Sequence, residues 1–227
     1  MSITGRIIQL TNDGSHTISI PELNITYHSK YGAIGESLHV FIKNGLQNFV
    51  QQNKNTGPTR VFEVGFGSGL NALLSLQQAI QLDRKIFYQT IEPYPLSIKE
   101  VDKLNYVSLI NKDLKQSFHT MHQCEWNKIV SLHPLFSFQK IKKVLQEFET
   151  KENFHVIYFD AFDPNAQPEL WTENIFKKMF NMLYSNGILV TYCSKGIVRR
   201  AMQTAGFSVE KIQGPPGKKE ISRAVKP

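Results

Sequence analysis

Gly65, Gly67 and Gly69, spaced two apart, carry the strongest chemical signal in the chain. They follow the short apolar stretch Arg60–Val64 and precede a helix-forming stretch from Asn71 to Leu82. Glycine accepts positive φ and lets the main chain come close to a ligand. A turn of this kind, at the carboxyl end of a strand, is where a doubly wound sheet binds its ligand. Glu92 ends the next apolar stretch, Lys85–Glu92. A carboxylate about 20 residues beyond the turn can accept both hydroxyls of a ribose. Glu63, just ahead of the turn, suits a cationic group on the same ligand. A dinucleotide fingerprint would need Gly or Ala where Leu70 stands, and no Gly-Lys-Ser/Thr follows to make a phosphate loop. The bland alternative is a tight turn with an incidental glutamate. Strand, turn, helix, strand and terminal acid in series weigh against it.

A second candidate is Asp160-Ala161-Phe162-Asp163-Pro164, after the most apolar strand, Phe154–Asp160. Asp160 is placed to meet a reacting group, Pro164 stiffens the loop, and Asp163 reads as a turn or helix-cap residue. His119-x-x-His122-x-Cys124 has metal-ligand residue types but lacks a fourth ligand or an evident open position, so no metal is expected. Cys124 and Cys193 have no activating base, and no Gly-x-Ser-x-Gly elbow is present.

These residues need a scaffold. The chain has 227 residues, 41% hydrophobic and 20% charged, which excludes a disordered chain. Apolar runs such as Gly187–Val190 are far shorter than the roughly 20 residues of a membrane span. Met1–Arg6 lacks the order of a signal peptide, and two cysteines make no disulfide framework, so a cytoplasmic protein without a membrane partner is expected. Residues 3–28 predict short strands with a hairpin turn at Asp13-Gly14. A helix is predicted over 35–52, then a polar breaker, Asn53–Pro58. Residues 97–122 read as largely helical, and 135–141 as a further strand. A helix over Thr172–Leu183 is expected to end at Asn186-Gly187, followed by a strand over Ile188–Cys193 and a helix over Gly196–Thr204. Strand and helix alternate through 60–205, the pattern of a doubly wound parallel sheet. Two final strands, 207–212 and 220–225, follow without a crossover helix and should pair antiparallel. The expected fold is α/β and Rossmann-like. It has a mostly parallel seven-stranded sheet, an antiparallel C-terminal hairpin and a small N-terminal β addition. Residues 1–34 are assigned to that addition and 35–227 to the main domain.

The layout resembles the class I methyltransferases, and longer strings narrow the resemblance. In order come Tyr27-His-Ser29-x-x-Gly32-Ala-Ile-x-Glu36-Ser, Glu63-Val-Gly-Phe-Gly-Ser-Gly-Leu-Asn71 and Glu92-Pro-Tyr-Pro95-Leu. Then follow Asp160-Ala-Phe-Asp-Pro, Gln167-Pro-Glu-Leu-Trp171-Thr, Tyr192-Cys-Ser-Lys-Gly-Ile-Val-Arg199-Arg200, Ala205-Gly-Phe and Gly214-Pro-Pro-Gly-Lys-Lys-Glu220. Together they resemble the MnmC-like methyltransferases, which include the methyltransferase domain of bifunctional MnmC and its standalone form, MnmD. The resemblance implies methyl transfer from S-adenosylmethionine to the exocyclic amine of 5-aminomethyl-2-thiouridine at the tRNA wobble position. The product would be 5-methylaminomethyl-2-thiouridine. In bifunctional members a flavin domain follows and first removes a carboxymethyl group. With the chain ending at Pro227, that activity is expected to be absent.

Carried onto this sequence, Glu63, Gly65, Phe66, Gly67, Gly69, Asn71 and Glu92 are cofactor-binding candidates, with Glu63 toward the cofactor's amino group. Asp160 is the catalytic candidate. Tyr27, Ser29, Glu36, Phe162 and Trp171 are substrate candidates, and Tyr31 and Phe66 are further stacking aromatics. For Phe162 and Trp171 core packing is the favoured alternative. Two positions depart from the family pattern. Pro93 stands where a Lys often follows the ribose-binding acid, and Val144 stands where many members carry an adenine-facing acid. Asp113 has the right chemistry but falls in the helical region.

The formal net charge is +7. From Lys195 to Pro227 eight basic residues meet two acidic ones, a net +6. Lys195, Arg199, Arg200, Lys218 and Lys219 are therefore expected to contact a tRNA backbone beside the anticodon loop. A solvated charged face is the bland alternative. A monomer is expected, dependent on upstream wobble-uridine enzymes for its substrate. Competing functions are a small-amine methyltransferase of the same fold and a non-catalytic RNA-binding module. The intact glycine turn, Glu92 and Asp160 oppose the module.

Overall fold

The computed structural model describes residues 5–53 and 57–227. The start of the predicted strand region at residue 3 and Lys54–Thr56 of the polar breaker lie outside them. Strands β1 (Ile7–Leu10), β2 (His16–Ile20) and β3 (Ile25–Thr26) form a small antiparallel sheet. The β1–β2 turn is built on Asp13 and Gly14. Asp13 Oδ1 accepts from Thr11 Oγ1 at 2.7 Å and from the Ser15 amide at 3.0 Å, and Gly14 has φ +81°. The other oxygen of Asp13 accepts from the Gly35 amide at 2.9 Å, which docks the small sheet on the next helix.

That helix is continuous from residue 33 to 52 but changes pitch. It comprises α1 (Ala33–Ser37), a π-helical stretch (Leu38–Gln47) and α2 (Asn48–Gln52). Gly45 in the π-helical stretch lies on the main sheet. A Cβ there would sit 3.0 Å from Val190 and 3.1 Å from the Tyr158 ring.

The main sheet is made of β4 (Thr59–Val64), β5 (Ile86–Ile91), β6 (Ile129–His133), β7 (Phe136–Ile141), β8 (Phe154–Phe159), β9 (Leu183–Thr191), β10 (Ser208–Gln213) and β11 (Glu220–Val225). Its order is β10-β11-β9-β8-β4-β5-β7-β6. The sheet has eight strands, one more than expected. β6 is the addition, paired antiparallel with β7 at the edge with an irregularity between Ser131 and His133. Pairings β4–β5, β4–β8, β5–β7 and β8–β9 are parallel, and β10–β11 and β11–β9 are antiparallel.

Alternation along the central strands sends side chains to two cores. Val61, Tyr88, Phe138, Val156 and Tyr158 face the 33–52 helix and α3 (Leu70–Gln81). α4 (Ile98–Val101), α5 (Tyr106–Ile110) and α6 (Lys115–Gln123) complete that side. Phe62, Val64, Ile157, Phe159 and Leu189 face α7 (Glu173–Met182). α8 (Gly196–Thr204) lies on this second side too, through Val198 and Met202. A parallel sheet covered on both faces explains the near-continuous apolar strands.

The predicted end of α7 is corrected. Thr172 caps its start, accepting from the Ile175 amide at 3.4 Å, and the helix stops at Met182. Asn186 and Gly187 lie inside β9. There Asn186 takes φ +62° and the pairing with β8 steps from Leu183 to Ile188. The Asn-Gly pair thus marks a strand irregularity rather than a helix end.

Candidate functional site

A cavity of about 430 Å³ opens at the carboxyl ends of β4, β5, β7 and β8. Volumes of this order are typical of small-molecule sites. Gly65 and Gly67 line its floor, with φ of +91° and +50°, whereas Gly69, with φ +77°, lies behind the lining against His122 and Phe66. A different neighbour crowds each one. A Cβ on Gly65 would lie 2.9 Å from the Asp160 carbonyl oxygen. On Gly67 it would lie 3.3 Å from the Tyr27 ring, and on Gly69 2.7 Å from His122 Nε2. The amides of Gly65 and Phe66 both donate to the Ile91 carbonyl, at 3.1 and 3.2 Å, so the turn is laced to the end of β5.

Glu92 follows β5 and is buried. Its Oε2 accepts from the Gly67 amide at 2.9 Å and its Oε1 from the Tyr94 amide at 2.7 Å. Burial pushes its pKa up, while the two amides and then Arg6 pull against that shift. Carboxylate and turn therefore form one unit with free oxygen lone pairs.

Asp160, at the end of β8, lies on the opposite wall. Its amide donates to the Val64 carbonyl at 3.1 Å, and its Oδ2 accepts from Asn71 Nδ2 at 2.8 Å. Burial pushes its pKa up to about 7, helped by the nearby charge of Glu36. Asn71 and Lys218 pull it down. Asn71 also donates to Glu63 Oε1 at 3.1 Å. Glu63 corrects its expected place. It is fully buried and is not among the cavity-lining residues, reaching the cavity only through Asn71. Burial and then Asp160 raise its pKa well above the carboxylate range. Asn71 Oδ1 is buried without a hydrogen-bond partner, an acceptor left over on a cavity-lining residue.

The remaining wall comes from distant parts of the chain. Tyr27 meets Phe162 edge-on, with ring centroids 5.3 Å apart. The Ser29 amide donates to Glu36 Oε2 at 2.7 Å, and Lys218 Nζ lies 2.7 Å from Glu36 Oε1. The same ammonium is 3.9 Å from the centre of the Tyr192 ring, and Tyr192 donates to the Ala161 carbonyl at 2.8 Å. Tyr31 is exposed and lies against Gly217, which has φ +84°.

Other candidates fall elsewhere. Trp171 follows the packing alternative and not the substrate one. It is buried, donates to the Phe162 carbonyl at 2.8 Å and packs on Phe159 at 5.0 Å, outside the cavity lining. Lys195 pairs with Asp163 at 2.7 Å. Asp163 also accepts from the Asn165 amide at 2.9 Å, as a turn residue does. The basic segment is partly neutralised within the fold. Arg223 pairs with Glu210, Lys211 with Glu220 and Lys218 with Glu36, and Lys226 donates to the Leu183 carbonyl. Arg199, Arg200 and Lys219 form no ion pair among the described residues and do not line the cavity.

The histidine-rich segment serves packing. His119 lies 3.6 Å from Asp102, while His122 packs on Phe66 at 4.8 Å and Phe118 at 4.9 Å beneath Gly69. No group of three or more metal-ligating side chains occurs among the described residues. Val144 does line the cavity, with Leu145 and Gln146, whereas Asp113 does not. Sequence reasoning missed His28 and Tyr192 on the wall. Both stand inside or beside the quoted strings, which was the available signal. His28 sits between Thr17 Oγ1 at 3.3 Å and Ser68 Oγ at 3.5 Å, and burial pulls its pKa down to about 4, so it is neutral.

Comparison with known proteins bears on this cavity. Residues 99–227 match a family described as S-adenosyl-L-methionine-dependent methyltransferase. Bifunctional MnmC proteins, named for tRNA 5-methylaminomethyl-2-thiouridine biosynthesis, are similar over most of the chain. The Burkholderia multivorans protein is 28% identical over 219 residues, covering 90% of this chain and 33% of its own length. The Cupriavidus metallidurans protein is 29% identical over 231 residues, covering 95% and 33%. The chain thus spans about a third of the length of these relatives. Among solved structures, MnmC2 from Aquifex aeolicus superposes with a TM-score of 0.79 at 23% identity, covering all of this chain and 72% of that one. At that identity the match carries the fold. No helix among the described residues is long and apolar enough to cross a membrane.

Proposed function

The chain belongs to the family of S-adenosyl-L-methionine-dependent methyltransferases, and from that premise we propose that it methylates the aminomethyl nitrogen of 5-aminomethyl-2-thiouridine at the tRNA wobble position. The observation that carries this reading is the pair of carboxylates, Asp160 and Glu36, with Lys218 at the end of the cavity away from Glu92. Acidic groups there suit an amine acceptor. The names of the MnmC relatives support the tRNA base as its carrier.

The residues present suit the cofactor. Gly65 and Gly67 let the main chain turn at positive φ where a Cβ would press on Asp160 and Tyr27 of the cavity wall, Glu92 has lone pairs for ribose hydroxyls, and the leftover Asn71 Oδ1 can accept from an ammonium. When bound, S-adenosylmethionine supplies a methyl group already activated on a sulfonium. The protein must then hold the amine in line, roughly 3–3.5 Å from the methyl carbon. Only the neutral amine attacks. A charged Asp160 attracts the ammonium and so raises the amine pKa, which by itself opposes attack. A carboxyl with a pKa of about 7 exchanges a proton with such an amine near neutrality, so positioning and deprotonation are assigned to one group. Tyr27 and Phe162 are suited to stacking on a base taken out of the anticodon loop. Arg199, Arg200 and Lys219, with Lys195 at the rim, are suited to the phosphates around it.

The division into an N-terminal β extension over 1–34 and a methyltransferase domain over 35–227 belongs to this proposal. So do a monomeric state, a cytoplasmic location and dependence on reactions that install the aminomethyl group. The decisive experiment offers labelled S-adenosylmethionine with tRNA carrying the aminomethyl base, alongside free small amines. Label in the tRNA nitrogen is expected. Label confined to small amines rejects the proposal.

A further inference from the structure

We propose that Lys178 on α7 is a positioning residue for the nucleoside end of the cavity, acting through the turn that follows β7. The inference rests on the reading of the cavity as an S-adenosylmethionine site. Lys178 Nζ donates to three main-chain carbonyls at once: Leu145 at 3.1 Å, Gln146 at 2.8 Å and Phe148 at 2.9 Å. An ammonium has three N–H donors, and all are used on one four-residue segment. Lys178 forms no ion pair among the described residues.

That segment is part of the cavity wall. Val144, Leu145 and Gln146 line it on the side where the Glu92 amide donates to the Ile141 carbonyl at 3.0 Å. The turn's own hydrogen bonds are few and long, from Glu147 to Val144 and from Phe148 to Leu145, each at 3.2 Å. Two apolar anchors fix its depth. Leu145 is buried, and Phe148 stacks on Phe62 at 5.1 Å with an interplanar angle of 13°. Neither anchor sets the direction of the peptide planes between them. The converging carbonyls on Lys178 do, and charge-assisted hydrogen bonds are roughly twice as strong as neutral ones. The strand end bearing Glu92 and the turn beyond it are thereby held in one relative orientation by a residue outside the cavity.

The test compares wild type, Lys178→Met and Lys178→Arg by calorimetry with two probes, S-adenosylhomocysteine and 5′-methylthioadenosine, which lacks the amino-acid end. Lys178→Met is expected to weaken both probes by the same factor, about 5–10-fold. Lys178→Arg is expected to recover most of that loss. Amide exchange should quicken at Glu147 and Phe148 in Lys178→Met and stay unchanged along α7. Unchanged binding of both probes by Lys178→Met overturns the inference. So does weakening confined to S-adenosylhomocysteine, or faster exchange across the whole protein. A wild-type protein that binds neither probe overturns the cavity reading itself, a distinct result.

Discussion

The two ends of the cavity are made from different materials. At the Glu92 end the main chain does the holding. The Gly67 amide meets Glu92, the Ile91 carbonyl receives Gly65 and Phe66, and the participants lie on adjacent strand ends. At the Asp160 end side chains do it. Glu36 comes from the helix after the small sheet, Asp160 from β8 and Lys218 from the turn before β11. A site of backbone amides is rigid and changes chiefly when a glycine gains a Cβ. A site of facing charges is tunable, because Glu36 and Lys218 act on the proton affinity of Asp160 in opposite senses.

Asp160→Asn should break the symmetry between the ends most strongly. Turnover is expected to fall by about two to four orders of magnitude, within the range for loss of a positioned base. S-adenosylhomocysteine affinity should stay within a few-fold in calorimetry. Near-normal turnover would remove Asp160 from the chemistry. Gly67→Ala is expected to do the reverse. An L side chain at φ +50°, 3.3 Å from Tyr27, costs about 1–3 kcal/mol and should weaken cofactor binding by roughly tenfold or more. Its kcat at saturating cofactor should remain close to wild type. A kcat loss as large as the affinity loss would erase the contrast between the two ends.

Glu36→Gln and Lys218→Met sharpen the picture at the tunable end. Glu36 raises the Asp160 pKa and Lys218 lowers it. If activity needs ionised Asp160, its rise with pH is centred near 7 in the wild type. That limb should move to lower pH in Glu36→Gln and to higher pH in Lys218→Met, read from kcat against pH. Shifts in the same direction in both variants would show that these charges do not act on Asp160. The smallest effect is thermal. The folded pKa of Asp160 lies above its ordinary value of 3.8, so the folded state holds the extra proton and loses stability as pH rises from about 4 to 7. Asp160→Asn should flatten the fall of Tm over that window, and an unaltered slope would assign the pH dependence elsewhere.

The same contrast explains what could be read from the sequence. The glycine turn, Glu92 and Asp160 are local signals at strand ends, and short, nearly continuous apolar runs placed those strands. The edge strand β6 was not legible, since its residues are only partly buried or exposed and Pro134 follows it at once. Asn186-Gly187 carries helix-end chemistry, yet β9 begins at Leu183 and absorbs the pair as an irregularity. Glu63 lies in the right string but behind the wall, a matter of packing depth that spacing does not encode, while Trp171 packs in the core, the alternative its residue type favoured. The Glu36–Lys218 pair joins opposite parts of the chain, and nothing local to either residue announces it. The basic run exaggerated the free positive surface, because Arg223, Lys211 and Lys218 are matched by acids.

The position of β11 has a consequence for biosynthesis. It lies between β10 and β9, so the last strand in chain order is an interior one. On the ribosome, β10 has no neighbour in the sheet until residues 220–225 have emerged. Lys218 reaches Glu36 in the same stretch of synthesis. A nascent chain can thus assemble its glycine turn and Glu92 well before its charge cluster, and the two halves of the cavity come of age at different times.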